Sequence, residues 1–206
     1  LPVVGWGAEP RPWVVTAYED TTGVAALGRK GRIRAAAWTL RRVADALCFA
    51  HERGVVHGGL TPGSIVRTSI MTEPDAWRYP RVTDLGYVDR LRTGGSGGPA
   101  ISGRYLAPEH LRPKRFGGVD GATDVYGFGV VAYEALLGRA PFESAEGPTR
   151  SPPGIDPADP SVLDDRLSAE LDTFFAKCLA SRKPERFETV QAMRAAFRRA
   201  AGEYGE

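Results

Sequence analysis

The stretch His57-Gly58-Gly59-Leu60-Thr61-Pro62-Gly63-Ser64-Ile65 decides how this chain is read. Upstream lies a long helical pattern in which Leu40, Val43, Ala44 and Leu47 recur at i, i+3, i+4 and i+7, one face of an amphipathic helix that Gly54 ends. From Val55 to Val88 the pattern changes to short β-prone runs, Val55-Val56, Ile65-Val66 and Arg81-Val82, with Glu73-Pro74-Asp75-Ala76 as a hairpin loop. Downstream follow Asp84-Leu85-Gly86, then Ala107-Pro108-Glu109, then Asp124 at the head of a run to Leu137 that is apolar almost all round, the mark of a helix buried on every side. Arg186 stands near the end, among two amphipathic helical patterns. Leu167, Leu171, Phe174, Phe175, Cys178 and Leu179 share one side of the first, and Phe187, Val190, Met193 and Phe197 one side of the second.

Each short motif alone is weak, because a three-residue pattern recurs by chance. In this order and spacing the set resembles the protein kinases, specifically the C-terminal lobe of the bacterial and archaeal Ser/Thr kinases. The resemblance covers nearly the whole chain from Trp13 onward and implies an α+β, protein-kinase-like fold. That fold is a mainly helical C-lobe with short β-hairpins, plus the last strands of the N-lobe. Residues 1–18 then form the end of the small lobe and the start of the hinge, and residues 19–206 the C-terminal lobe. Two apolar runs, Leu1-Pro-Val-Val4 and Trp13-Val-Val15, split by glycine and prolines, read as a β-hairpin in their own right.

Catalysis by this family needs an aspartate to orient the substrate hydroxyl, a lysine two residues later to neutralise the transferring phosphoryl group, and an asparagine to hold a magnesium. Gly59, Thr61 and Ser64 stand at those positions, and Gly58 replaces the arginine that pairs with a phosphorylated activation loop. Glycine has no side chain and threonine no charge; serine retains a neutral oxygen for a metal. Loss of a positioned base alone costs about 10²- to 10⁴-fold in rate, and electrostatic stabilisation is usually the larger contribution. The resemblance therefore implies a pseudokinase.

The residues that the family uses to hold its shape are retained. His57 matches a core residue that stacks in the column joining the lobes. Asp124 matches the carboxylate that accepts hydrogen bonds from the backbone around His57 and Gly58, and burying it is costly without such partners. Glu109 and Arg186 match a buried ion pair. For nucleotide, the family's hinge backbone falls at Ala17 and Glu19, with Thr16 as gatekeeper and Val66 as the apolar floor under the base; a buried valine on a short strand satisfies the last equally well. Asp84 matches the magnesium ligand, and as readily reads as an aspartate capping the turn before Gly86. ATP and magnesium stay open. Ser102 matches a hydroxyl of the peptide-docking segment, and Thr93 and Ser96 lie in a glycine-rich stretch read as a mobile loop.

The chain's four lysines, Lys30, Lys114, Lys177 and Lys183, all follow the hinge, so the small-lobe lysine, glutamate and phosphate lid are not in it. It begins at Leu1 without an initiator methionine or signal-type run and reads as a piece of a longer polypeptide. Glu143 to Asp164, rich in proline, glycine and acid, reads as a loop. Cys48 and Cys178 sit in apolar helical patterns as small hydrophobes rather than as a disulfide or metal site. A net charge of +2, with arginine clusters that lack interleaved aromatics, argues against nucleic acid, and no run approaches the ~20 apolar residues of a membrane span. The expectation is a cytoplasmic signalling domain: a scaffold, allosteric regulator or nucleotide sensor whose partner is a protein such as an active kinase or an attached effector domain. The alternative is an ATP-dependent Ser/Thr kinase with an atypical catalytic loop.

Overall fold

The structure, a computed structural model, describes residues 3–7, 13–16, 21–23, 33–68, 80–86, 103–144, 147–148 and 157–204. Strands β1 (Val3–Gly7) and β2 (Trp13–Thr16) pair antiparallel, as the split apolar runs require. Strands β3 (Thr21–Gly23), β4 (Ile65–Thr68) and β5 (Pro80–Val82) form a second antiparallel sheet in which Val66 lies opposite both Gly23 and Arg81. The hairpin-loop residues 73–76 lie outside the described residues, as do Ala17, Glu19, Thr93, Ser96 and Ser102.

Helix α1 (Ile33–His51) buries Leu40, Val43, Ala44 and Leu47 completely, which is the stripe read from their spacing. Gly54, at φ 71°, takes the left-handed conformation that closes the helix end at little cost to a residue without Cβ. The short helices α2 (Pro108–Leu111) and α3 (Pro113–Phe116) each start on proline, whose fixed φ and missing N–H suit the first helical position.

Helix α4 (Gly121–Leu137) is the hub. Asp120 caps it, its carboxylate accepting from the Ala122 N–H at 3.0 Å while its own N–H donates to Thr123 Oγ1 at 3.2 Å. Val125, Tyr126, Phe128, Val130, Val131, Ala132 and Tyr133 are all buried, so every face of the helix is covered. Against it pack α6 (Ala169–Cys178) and α7 (Val190–Ala200) through an aromatic cluster in which Phe128 meets Phe197 edge-on at 5.3 Å and Phe174 at 6.3 Å. Arg41 on α1 donates to the carbonyls of Ala201 (2.8 Å) and Gly202 (3.3 Å), closing the end of α7. Asp45 on α1 is paired with both Arg194 and Arg198 of α7.

The close approach of α6 to α4 depends on one small residue. A Cβ built on Gly129 falls 2.7 Å from Cys178 Cβ and 3.0 Å from Leu179 Cδ2. Cys178 Cβ is fixed to the backbone and has no rotamer in which to retreat. Gly129→Ala is therefore expected to destabilise the fold by about 1–3 kcal/mol through overpacking, against a gain of about 1 kcal/mol in helix propensity. Thermal unfolding of the variant checks the sign. Cys48 and Cys178 are free and buried, and burial pushes both thiols up, so they behave as apolar filler.

Two expectations are corrected. Val55-Val56 forms no strand: the Val55 N–H closes the end of α1 on the Ala50 carbonyl at 3.0 Å, and the two N–H groups that follow Val56, of His57 and Gly58, go to a carboxylate. The Glu143–Asp164 segment is not all loop, since it carries the two-residue strands β6 (Glu143–Ser144) and β7 (Gly147–Pro148) and a one-turn helix α5 (Pro160–Leu163). Pro160 starts that turn and Asp172 of α6 accepts from the Ser161 N–H at 2.9 Å, satisfying a donor that the short helix leaves open. No helix among the described residues is long and apolar enough to cross a membrane.

Candidate functional site

The loop from His57 to Ser64 lies between α1 and β4, and its backbone is tied by side chains of α2 and α4 and by its own. Asp124, its side chain fully buried, accepts from the His57 N–H at 2.8 Å through Oδ2 and from the Gly58 N–H at 2.7 Å through Oδ1. A third donor comes from His51 at the end of α1, whose Nε2 lies 2.7 Å from Oδ2. A carboxylate only accepts, so that ring nitrogen carries the proton. Three charge-assisted bonds converge on one carboxylate, which is what makes its burial tolerable.

At the other end of the same residue, the Gly58 carbonyl accepts from His110 Nε2 of α2 at 2.7 Å. The Ala107 N–H donates to His110 Nδ1 at 3.0 Å, which fixes the tautomer with the proton on Nε2. Gly58 is thus clamped at N–H and carbonyl, with φ at 72°, a left-handed conformation that an arginine would adopt only under strain. His57 is fully buried, and the Gly59 N–H donates to its Nδ1 at 3.3 Å. Burial pushes its pKa down and outweighs the opposing pull of the Asp124 carboxylate, so the ring is a neutral packing element. All three histidines of the chain, His51, His57 and His110, serve this one loop.

Thr61 and Ser64 are occupied with each other. The Thr61 N–H donates to Ser64 Oγ at 2.9 Å, the Ser64 N–H to Thr61 Oγ1 at 3.3 Å, and the Ser64 hydroxyl to the Thr61 carbonyl at 2.8 Å. These bonds cap a turn of 3₁₀ helix at Pro62–Ser64. Ser64 is buried, its proton is used, and one of its oxygen lone pairs is taken. The serine read from sequence as a neutral oxygen open to a metal serves here to cap this turn.

Asp84 is brought beside this turn because the Thr83 N–H donates to the Ser64 carbonyl at 2.8 Å. Its carboxylate accepts from the Thr83 hydroxyl at 3.2 Å, and it is a non-glycine residue with φ at 61°, followed by Gly86 at 75°. Asp84 is exposed and Leu85 beside it likewise. Val66, half-buried on β4, lies on the same short sheet. Among the described residues no group of three or more histidine, cysteine or acidic side chains is placed to hold a metal ion. Asp84 alone, with Ser64 committed to its turn, does not fit the pair of magnesium ions that phosphoryl transfer uses.

Glu109 and Arg186 form a fork-on-fork pair at 2.8 and 2.9 Å with both side chains fully buried. The remaining guanidinium donors go to the carbonyls of Ala180, Ala122 and Ser181, and the plane sits 4.9 Å from the Tyr126 ring. Burial by itself would raise the Glu109 pKa; the bonds and charge of Arg186, with the Thr123 hydroxyl at 2.8 Å, overcome it and hold the carboxyl below its ordinary value. Nearby, Tyr105 donates to Glu134 of α4 at 2.7 Å, and burial with that acceptor pushes the phenol up.

His51, His110, Thr123 and Glu134 were not singled out from the sequence. A chain with only three histidines offered a signal for the first two, since one follows an amphipathic helix and another sits directly behind the Ala107-Pro108-Glu109 motif. Thr123 and Glu134 carried none.

Comparison with known proteins agrees with this geometry. The family model described as the protein kinase domain matches residues 24–198. The Ser/Thr-protein kinase PknB of Mycobacterium tuberculosis is 30% identical over 198 residues, covering 91% of this chain. Pkn1 of Myxococcus xanthus, also a Ser/Thr-protein kinase, is 29% identical over 202 residues, covering 95%. The chain spans about 30% of the length of these relatives. A crystal structure of the M. tuberculosis PknI kinase domain superposes with a TM-score of 0.69 at 23% identity, covering 97% of this chain and 71% of that one, a likeness of fold alone.

Proposed function

Because this chain belongs to the protein kinase family, we propose that it is a kinase-like domain without phosphotransfer activity, which works as a scaffold or allosteric regulator. One observation carries the reading. The two polar residues at the positions of the family's lysine and asparagine, Thr61 and Ser64, spend their groups on a mutual cap, while Gly58 and Gly59 offer only backbone. The loop is built to keep its shape with no side chain directed at a phosphoryl group. The partner is a protein, an active kinase or an attached effector domain, in the cytoplasm; no contact with nucleic acid or membrane is part of the proposal.

Incubation of the full-length protein with ATP, magnesium and a generic protein substrate, followed by mass spectrometry, tests it. The expected result is no phosphate on either protein. Magnesium-dependent incorporation that Asp84→Ala abolishes overturns the reading.

A second reading, a nucleotide sensor or an atypical active kinase, draws on the exposed Asp84 carboxylate beside the Ser64 turn. Titration calorimetry with ATP, with and without magnesium, separates them: heat without turnover favours a sensor, turnover favours the kinase, and neither leaves the scaffold.

A further inference from the structure

The surface between α6 and α7 opens into a cleft of about 610 Å³ that none of the loop residues 57–64 lines. Small-molecule sites occupy about 300–1,000 Å³. Ser168, just ahead of α6, donates to the carbonyl of Ala200 at the end of α7 at 3.3 Å, so the two helices run antiparallel along the cleft. Phe174, almost wholly buried, forms its floor, with Phe187 tilted against it at 5.6 Å between ring centres. On α7 the apolar residues lining the opposite wall are Ala196 and Ala200, one helical turn apart. Methyl groups there leave open the volume that larger apolar side chains would close.

The ends differ in charge, because Glu170, in the first turn of α6 where Ser168 meets Ala200, shares the Arg199 end. Lys177 closes one end with its ammonium 4.7 Å from the centre of the Phe187 ring, and Arg199 stands at the other. Glu170 is the one acidic side chain lining the cleft, so the lining carries two cations against one carboxylate. Among the described residues Lys177 forms no ion pair, and its ammonium rests over the Phe187 face.

We propose that this cleft is a binding site for a small amphipathic organic anion, its apolar body laid along Phe174 and Phe187 and its carboxylate held at the Lys177 end. An apolar floor supplies affinity by area, and a cation at the exposed rim fixes orientation and selects charge. Helix α6 has 10 residues, about 15 Å of rise, which limits the ligand to a single short alkyl or aryl chain. The proposal does not depend on whether the domain transfers phosphate.

Calorimetric titration of the full chain with dodecanoate, and with dodecanol as the uncharged counterpart, is the test. Dodecanoate is expected to bind about fivefold or more tightly than dodecanol, and Lys177→Gln to remove that preference while leaving dodecanol unchanged. Ala196→Phe, which fills the cleft, is expected to abolish both. Absence of dodecanoate binding, equal affinity for the two probes, or binding unaffected by either substitution overturns the proposal. Should Ala196→Phe fail to fold by circular dichroism, Lys177→Gln, an exposed change, decides alone.

Discussion

Replacing Arg186 by methionine is expected to lower stability by about 3–5 kcal/mol, the cost of stranding one charge of a buried pair. For a chain of this size that corresponds to a fall in Tm on the order of 10 °C. The reason lies on both sides of the pair. Arg186 spends its guanidinium on Glu109 and on three carbonyls, so its loss leaves a buried carboxylate and several acceptors together. The pH dependence carries a definite sign. In the intact protein Glu109 is held below its ordinary value of 4.5, so the stability it contributes is full above 4.5 and is lost as pH falls through the lower folded value. In the variant burial, the largest single influence on Glu109, is opposed by no cation, only by the Thr123 hydroxyl and a backbone hydrogen bond, and the folded carboxyl is expected to rise above its ordinary value. The stability deficit should then narrow as pH is lowered from neutral, because the stranded group is allowed to protonate. A deficit constant with pH would mean that packing, and not charge, is what Arg186 supplies. The double variant Glu109→Leu with Arg186→Met should recover much of the loss, as apolar replacements of buried pairs commonly do.

What could be read from the sequence divides along a physical line. The stripe of α1 and the all-round burial of α4 were legible because periodic apolar residues have only one way to be covered, and Leu40, Val43, Ala44 and Leu47 are indeed fully buried. The Glu109–Arg186 pair and the bonds from Asp124 to the loop were legible only through resemblance, since the partners stand 77 and 67 residues apart and no local pattern joins them. The misread Val55-Val56 has β-branched residues and a strand's local preference, yet a helix end and a carboxylate claim the neighbouring N–H groups. Local preference gave way to tertiary hydrogen bonding. The one-turn helix at Pro160–Leu163 was hidden for a similar reason: a proline that reads as a loop marker is also a good first residue of a helix. The capping partnership of Thr61 and Ser64 is present in the spacing i, i+3, but the same spacing serves many turns, and only the bonds themselves single it out.

The second large effect is expected at Asp124. Asp124→Leu, similar in volume and unable to accept, should strand the N–H groups of His57 and Gly58 and the ring N–H of His51 in a buried site. Each bond to a charged acceptor is worth about 1.5–3 kcal/mol and an unsatisfied buried donor costs about 1–3 kcal/mol, so a total loss of about 4 kcal/mol or more is expected. Asp124→Asn should fall between, because its amide oxygen still accepts while its amide nitrogen faces another donor. Hydrogen exchange separates the local from the global consequence. In the Asn variant, under conditions where the core of α4 remains protected, the amides of His57, Gly58 and Gly59 should exchange faster than in the parent. His110 still holds the Gly58 carbonyl in that variant, so adding His110→Ala should accelerate the same three amides further and leave those of α6 and α7 unchanged. Equal acceleration across α4, α6 and α7 would show instead that the carboxylate supports the lobe as a whole, and that the loop has no separate tie. Exchange confined to the loop would make the Asp124–His51–His110 arrangement the device that keeps the His57–Ser64 loop in one shape.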